Sequence, residues 1–407
     1  MPTSLALIEA IHDQQNSMLQ LLERWVNINS WTDNPQGLAH MLKELEQAFL
    51  PLGGEIKRMT LPSHLSINAK GQITEKPTGQ ALSIKKHPEA PLQILLGGHM
   101  DTVYPPTSHF QKAEKLEATI LRGPGVTDMK GGLVIMLKAL ETFEQSPYAG
   151  KIGWEVLINA DEEIGSPVST DLFKERASKF HLGLIFEPAF PDGSLVSERR
   201  GSMNYTFIAH GKSAHVGRDF ESGRNAIVGM ARLVQQLETL NNRQRGIQVN
   251  VGSFEGGGPT NIVPDLAVCK MNVRVQNPAD QPIVAKQIQN ILQETTSSRD
   301  LTFELHTDSM RPPKPFNKAH HRLFEALRES AKRMNIDLKW QPTGGVCDGN
   351  TLSAEGLPTI DTLGAVGGHL HTHDEYLYIP SLVQRTQLVT YFLIQLAEKQ
   401  ILAGEIL

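Results

Sequence analysis

Leu92-Gln93-Ile94-Leu95-Leu96-Gly97-Gly98-His99-Met100-Asp101-Thr102-Val103 is the stretch on which the reading of this chain turns. A short apolar run closed by two glycines predicts a buried strand that ends in a loop. His99 and Asp101 stand two apart, so in extended backbone their side chains leave on the same side. That spacing suits an imidazole that ligates a metal while a neighbouring carboxylate holds its ring. The same pair also serves as a plain structural contact, so its meaning depends on what the rest of the chain brings to it.

Working outward, the pattern repeats. Trp154-Glu155-Val156-Leu157-Ile158-Asn159 predicts a second buried strand, with Asp161-Glu162-Glu163 just beyond it. Leu182-Gly183-Leu184-Ile185-Phe186 predicts a third, followed by Glu187. Asp128 stands at a loop-to-helix junction, ahead of a helix expected over 131–143. Strands alternating with helices imply an α/β fold with a mostly parallel central sheet flanked by helices. In such sheets ligands bind beyond the carboxyl ends of the strands, where these acids would converge. Taken singly, Asp128 also reads as a helix N-cap and 161–163 as first-turn acids. The loop 367–375 adds His369, His371 and His373. Imidazoles among several carboxylates suit zinc, with cobalt or manganese as alternatives, and there are carboxylates enough for two ions sharing one ligand. A free carboxylate beside water polarised there predicts hydrolysis of an amide-like bond.

The character changes after Arg199-Arg200-Gly201. Strands and helices over 203–210, 225–240, 248–254, 267–276, 282–295 and 301–306 follow the order of a ferredoxin-like α+β unit. We therefore expect an inserted domain over 201–310 and a discontinuous domain over 1–200 and 311–407, with the proline-rich 311–315 as return linker. Two domains also fit 407 residues. A net charge of −5, with 40% hydrophobic and 20% charged residues, points to a soluble globular chain with no nucleic-acid or polybasic membrane partner. No apolar run reaches membrane-span length, and the first twenty residues lack a basic start followed by an apolar block. Only two cysteines, Cys269 and Cys347, are present, which suits a reducing, cytoplasmic setting.

Five strings in order carry a resemblance: His99–Val103, Gly125–Gly132, Asp161–Ser166, Glu187-Pro188 and His371–Glu375. They resemble the His-x-Asp-Thr-Val, Gly-x-x-Asp-Met-Lys-Gly-Gly, Asp-Glu-Glu-x-Gly-Ser, Glu-Pro and His-x-x-Asp-Glu motifs of the dinuclear zinc carboxypeptidase and aminoacylase family. The bacterial glutamate carboxypeptidases look most similar, and the resemblance spans nearly the whole chain. It implies two zinc ions per subunit, bridged by Asp128, with His99 and Glu187 on one and Glu163 and His371 on the other. Glu162 would be the general base and Asp101 would orient His99. His371 is preferred over His369 and His373 because it has the motif's spacing to Glu375.

The resemblance also implies that the inserted unit is a dimerisation (lid) domain. Its loop Gly211–Gly217 would send His215 into the partner subunit's active site, and Asn261 and Arg274 would bind substrate, with Arg311 a weaker substrate-binding candidate. The expected activity is removal of a C-terminal residue, glutamate foremost, from small peptides or N-acyl amino acids by a homodimer. An N-acyl-amino-acid deacylase or dipeptidase with the same metal site is the runner-up. Two other classes stand further off: hydrolysis through Cys347 as nucleophile, and a non-catalytic binding module.

Overall fold

In a computed structural model of the chain, residues 3–297 and 301–398 are described. Six strands form the central sheet, in the order Glu55–Met59, Ala81–Lys86, Ile152–Asn159, Leu92–His99, Leu182–Ile185 and Thr359–Ile360. The last four run parallel, while the first two join antiparallel at one edge. Ile152–Asn159 and Leu182–Ile185 are buried along their whole length, as parallel strands covered on both faces must be. The sheet is thus parallel where the acids follow the strands and antiparallel toward one rim.

Helices cover both faces. On one, Gly131–Glu144 and Pro380–Glu398 pack with Gln15–Val26 and Pro35–Phe49 around Trp25, Leu42, Leu133, Phe143, Val156 and Leu388. Pro35–Phe49 begins where Asn34 accepts from Gly37 N–H and proline takes the first helical position. Its buried Leu38, Met41, Leu42, Leu45 and Phe49 form the apolar stripe. On the other face, Thr170–Ala177 and Asp348–Ala354 enclose Leu95, Leu157, Phe173, Ile185 and Leu352. The N-terminal helical stretch, 4–26, is interrupted by a tighter turn at Ala10–Gln14.

Residues 201–311 hold a second, wholly antiparallel sheet, ordered Gln248–Gly256, Leu266–Val275, Gly201–His210 and Thr302–Arg311. Alternate residues Met203, Tyr205, Phe207 and Ala209 pack against the helices Ala226–Glu238 and Asp280–Ser297. The last strand runs five residues past the expected His306, because Ser309, Met310 and Arg311 still pair with Asn204, Met203 and Ser202. Where the chain leaves and re-enters the first part, Arg199 and Lys314 exchange backbone hydrogen bonds of 2.9 and 3.0 Å.

Candidate metal centre

Strand register brings the acids together. His99 pairs with Asn159 and Gly97 with Ile185 in the parallel ladder. The residues just beyond those positions, 161–163 and 187, therefore emerge at one edge. The helix Gly131–Glu144 starts against the same edge, and a Cβ on Gly132 would lie 2.0 Å from Phe186 O. This close approach sets the turn that carries Asp128 beside His99. The Asp128–Met129 peptide in that turn is cis.

His99 Nδ1 lies 3.0 Å from the Asp101 carbonyl oxygen, an atom that can only accept. The ring proton is thereby placed on Nδ1 and the Nε2 lone pair faces the crevice. Nε2 lies 3.2 Å from Asp128 Oδ1 and 3.8 Å from Glu187 Oε1. His371 Nε2 reaches Asp128 Oδ2 at 3.4 Å and Glu163 Oε2 at 3.2 Å. Potential ligand atoms of His99, Asp128 and Glu163 lie within 4.8 Å of one another, as do those of His99, Glu162 and Glu187. Of the three late histidines, His371 alone meets these carboxylates among the described residues; His369 stands edge-on to Tyr376 and His373 against His109.

The electrostatics show what the crevice is suited to hold. Burial, with the Asp128 charge adding, pushes the Glu163 carboxyl up to about 8 against the pull of His371. Burial likewise drives Glu187 well above the ordinary carboxylate range, with Asp128 and Glu162 adding to it. The carboxylates of Asp128 and Glu163 raise His371 to about 11. Burial alone would lower His99, but Asp101, Asp128, Glu187 and Glu162 together hold it well above its ordinary value. So many buried carboxylates around two imidazoles call for positive charge, and this donor set fits divalent cations.

Asp101 does more than face His99. Its carboxylate accepts from the N–H of Glu162 at 3.2 Å, the N–H of Glu163 at 3.1 Å and the Thr32 hydroxyl at 2.8 Å. It therefore ties the His99 strand end to the turn that carries both glutamates. That turn closes at Gly165, with φ +93°, where a Cβ would lie 2.7 Å from Ser309 Oγ.

Of the remaining sequence-derived positions, Arg311 meets the crevice and the others lie elsewhere. His215 sits in an exposed loop, its Nδ1 accepting from Gly217 N–H. Asn261 is exposed beside it, its carbonyl accepting from Val216 N–H at 3.0 Å. Among the described residues neither contacts the crevice carboxylates. Arg274 bonds Asn272 Oδ1 at 2.9 Å and the Gly344 carbonyl at 3.3 Å. Arg311, the weaker substrate-binding candidate, is turned inward. It is 3% exposed, with Nη1 on Glu162 Oε1 at 2.7 Å and Nη2 on Ser166 Oγ and Asp348 Oδ1. Cys347 is buried 3.7 Å from Asp361 Oδ2, and burial pushes its thiol well above the ordinary value, a poor setting for a nucleophile.

Glu375, which the sequence marked only as a motif terminus, proves to brace the Asp128 turn. Its buried carboxylate accepts from the N–H groups of Gly125, Thr127 and Asp128 and from the Tyr104 hydroxyl, all at 2.8–3.0 Å. Glu375 and Ser166 each end one of the quoted motifs, which was the available signal; Thr32 gave none.

The model of peptidase family M20/M25/M40 matches residues 95–395. The chain belongs to this family. This M20 metallohydrolase is 25% identical over 396 residues to carboxypeptidase G2 of Pseudomonas sp. (strain RS-16), covering 96% of this chain and 92% of that one. It is 24% identical over 348 residues to a succinyl-diaminopimelate desuccinylase of Hahella chejuensis, covering 80% and 88%. In fold it is similar to an M20 family metallo-carboxypeptidase from Sulfolobus solfataricus, with a TM-score of 0.73 at 17% identity over 92% of this chain and 98% of that one.

Proposed function

We propose that this M20 enzyme removes a C-terminal residue, glutamate foremost, from small peptides or N-acyl amino acids at a dinuclear site. The observation that carries the reading is Asp128, which presents one carboxylate oxygen to His99 and the other to His371. Asp128 would hold both ions, His99 and Glu187 one, Glu163 and His371 the other. When bound, two zinc ions would polarise the scissile carbonyl and acidify the attacking water, and the same donors would serve cobalt or manganese. Glu162 takes the proton from that water and returns it to the leaving amine. Asp101 keeps His99 and the backbone of Glu162 and Glu163 in register through the bonds described above.

Arg274 grips the substrate carboxylate, with Asn261 on the neighbouring loop. Burial, with Arg311 and Arg200 close by, lowers the Arg274 pKa from its ordinary value, so an anion is welcome there. We assign residues 201–310 to an inserted dimerisation domain and 1–200 with 311–407 to the catalytic one. The edge strand Gln248–Gly256 and the exposed Val216, Phe220, Phe254 and Ile262 support pairing with a second copy. His215 would then reach the partner's crevice and stabilise the oxyanion. A solution mass of two chains is expected, and a monomer at working concentration would sink this assembly. No described helix is long and apolar enough to cross a membrane, and both cysteines are free and buried, which supports a cytoplasmic setting.

The test is release of glutamate from N-acyl-glutamate, compared with N-acetyl amino acids and dipeptides, with and without a chelator. Chelator-sensitive release is expected, with Arg274→Ala raising KM by at least about tenfold, the scale of one lost charge-assisted bond. Failure on every glutamate-bearing substrate would overturn the carboxypeptidase preference. The desuccinylase similarity makes a deacylase or dipeptidase the reading to take its place.

A further inference from the structure

Glu162 and Arg311 meet across the join between the central and inserted sheets, 149 residues apart in the chain. Both Nη atoms donate to protein, while the buried Nε–H has no partner among the described residues. Nη1 donates to Glu162 Oε1 at 2.7 Å, while Nη2 donates to Ser166 Oγ at 2.7 Å and to Asp348 Oδ1 at 3.0 Å. Asp348 is fixed in turn, accepting from Ser166 Oγ at 2.6 Å and from Asn159 Nδ2 at 2.9 Å, at the end of a central strand. The backbone that carries Arg311 is fixed as well. Asn350 Nδ2 donates to the Arg200 carbonyl at 3.0 Å and the Pro312 carbonyl at 2.7 Å, so one side chain holds both chain crossings.

We infer that Arg311 is a positioning residue that sets the Glu162 carboxylate in the crevice, and not a ligand for the substrate. The inference rests on the assignment of Glu162 as general base. A planar fork whose Nη2 is anchored on Asp348 and Ser166 fixes where Nη1 points, and hence where Glu162 Oε1 sits. Because Arg311 ends the last strand of the inserted sheet, the placement of that sheet is read directly at the base.

Kinetics of Arg311→Lys and Arg311→Met test it. A lysine keeps the charge but loses the fork, so both variants are expected to lose about 100-fold in kcat, the cost of a misplacement of about 1 Å. KM should change by less than about threefold, because the arginine makes no contact with substrate. Free guanidinium ion should restore part of kcat to Arg311→Ala, which a merely structural loss would not allow. A KM raised tenfold or more with kcat intact in Arg311→Lys would overturn the inference in favour of a substrate grip.

Thermal unfolding of the purified full chain gives a readout independent of turnover. Arg311→Met and Glu162→Ala should combine non-additively, and additive effects would show that the two side chains are not coupled. Should Glu162→Gln alone retain turnover, the base assignment fails, while non-additive unfolding would still establish the pair. The two failures are therefore told apart.

Discussion

Glu162→Gln is expected to lower kcat by on the order of 10²–10⁴-fold while the protein keeps its full metal content. Glu162 stands within 4.8 Å of the His99 and Glu187 ligand atoms, yet it differs from its neighbour Glu163 in what it touches. Glu163 faces His371 and Asp128 is its near charge, whereas Glu162 gives Oε1 to Arg311. Glutamine keeps an acceptor for that guanidinium and occupies nearly the same volume, but it cannot take up a proton. The substitution thereby separates proton transfer from packing. Turnover of N-acyl-glutamate and elemental analysis of the same preparation check it together. Retained turnover would sink the base assignment, and loss of metal in step with activity would make Glu162 a ligand.

The parallel half of the sheet was legible because its strands are covered on both faces and so read as mostly apolar runs, Leu92–Leu96 and Leu182–Phe186 above all. Of the antiparallel rim, Glu55–Met59 reads from the sequence as a strand over 54–58, whereas Ala81–Lys86 does not. In Ala81–Lys86 the buried Ser83 interrupts the pattern, and it is buried because its hydroxyl donates to Glu155 at 2.7 Å, which Arg176 neutralises at 3.2 Å. Such compensation depends on three segments and shows in none of them. The crevice followed the same rule. Acids directly after strand ends could be placed from the sequence, since a parallel ladder aligns those ends. The groups that hold them could not: Thr32 lies 69 residues from Asp101, and Arg311 lies 149 from Glu162. Arg311 enters the sequence reading only as a weaker substrate-binding candidate, and its pairing with Glu162 shows in neither segment alone.

Asp128→Ala is expected to remove metal from both halves of the centre at once, lowering affinity by more than about 100-fold, beyond the 10–100-fold typical of changes one layer further out. Among the described residues Asp128 is the one carboxylate in contact with both His99 and His371, through a different oxygen for each. Loss of Glu187 or Glu163 would leave the other half its own imidazole and carboxylate; loss of Asp128 spares neither. The fold itself should survive, because the backbone of this turn is held by the Glu375 carboxylate through three N–H groups that alanine leaves in place. Metal-free wild type and metal-free Asp128→Ala should therefore melt within a few degrees of each other. Added zinc raises the melting temperature only of a chain that binds it in the folded state, so the zinc-induced rise seen in the wild type should vanish in the variant. An undiminished rise, or two metal ions still bound per Asp128→Ala chain, would mean that Asp128 does not join the two halves and that the centre is built on other residues.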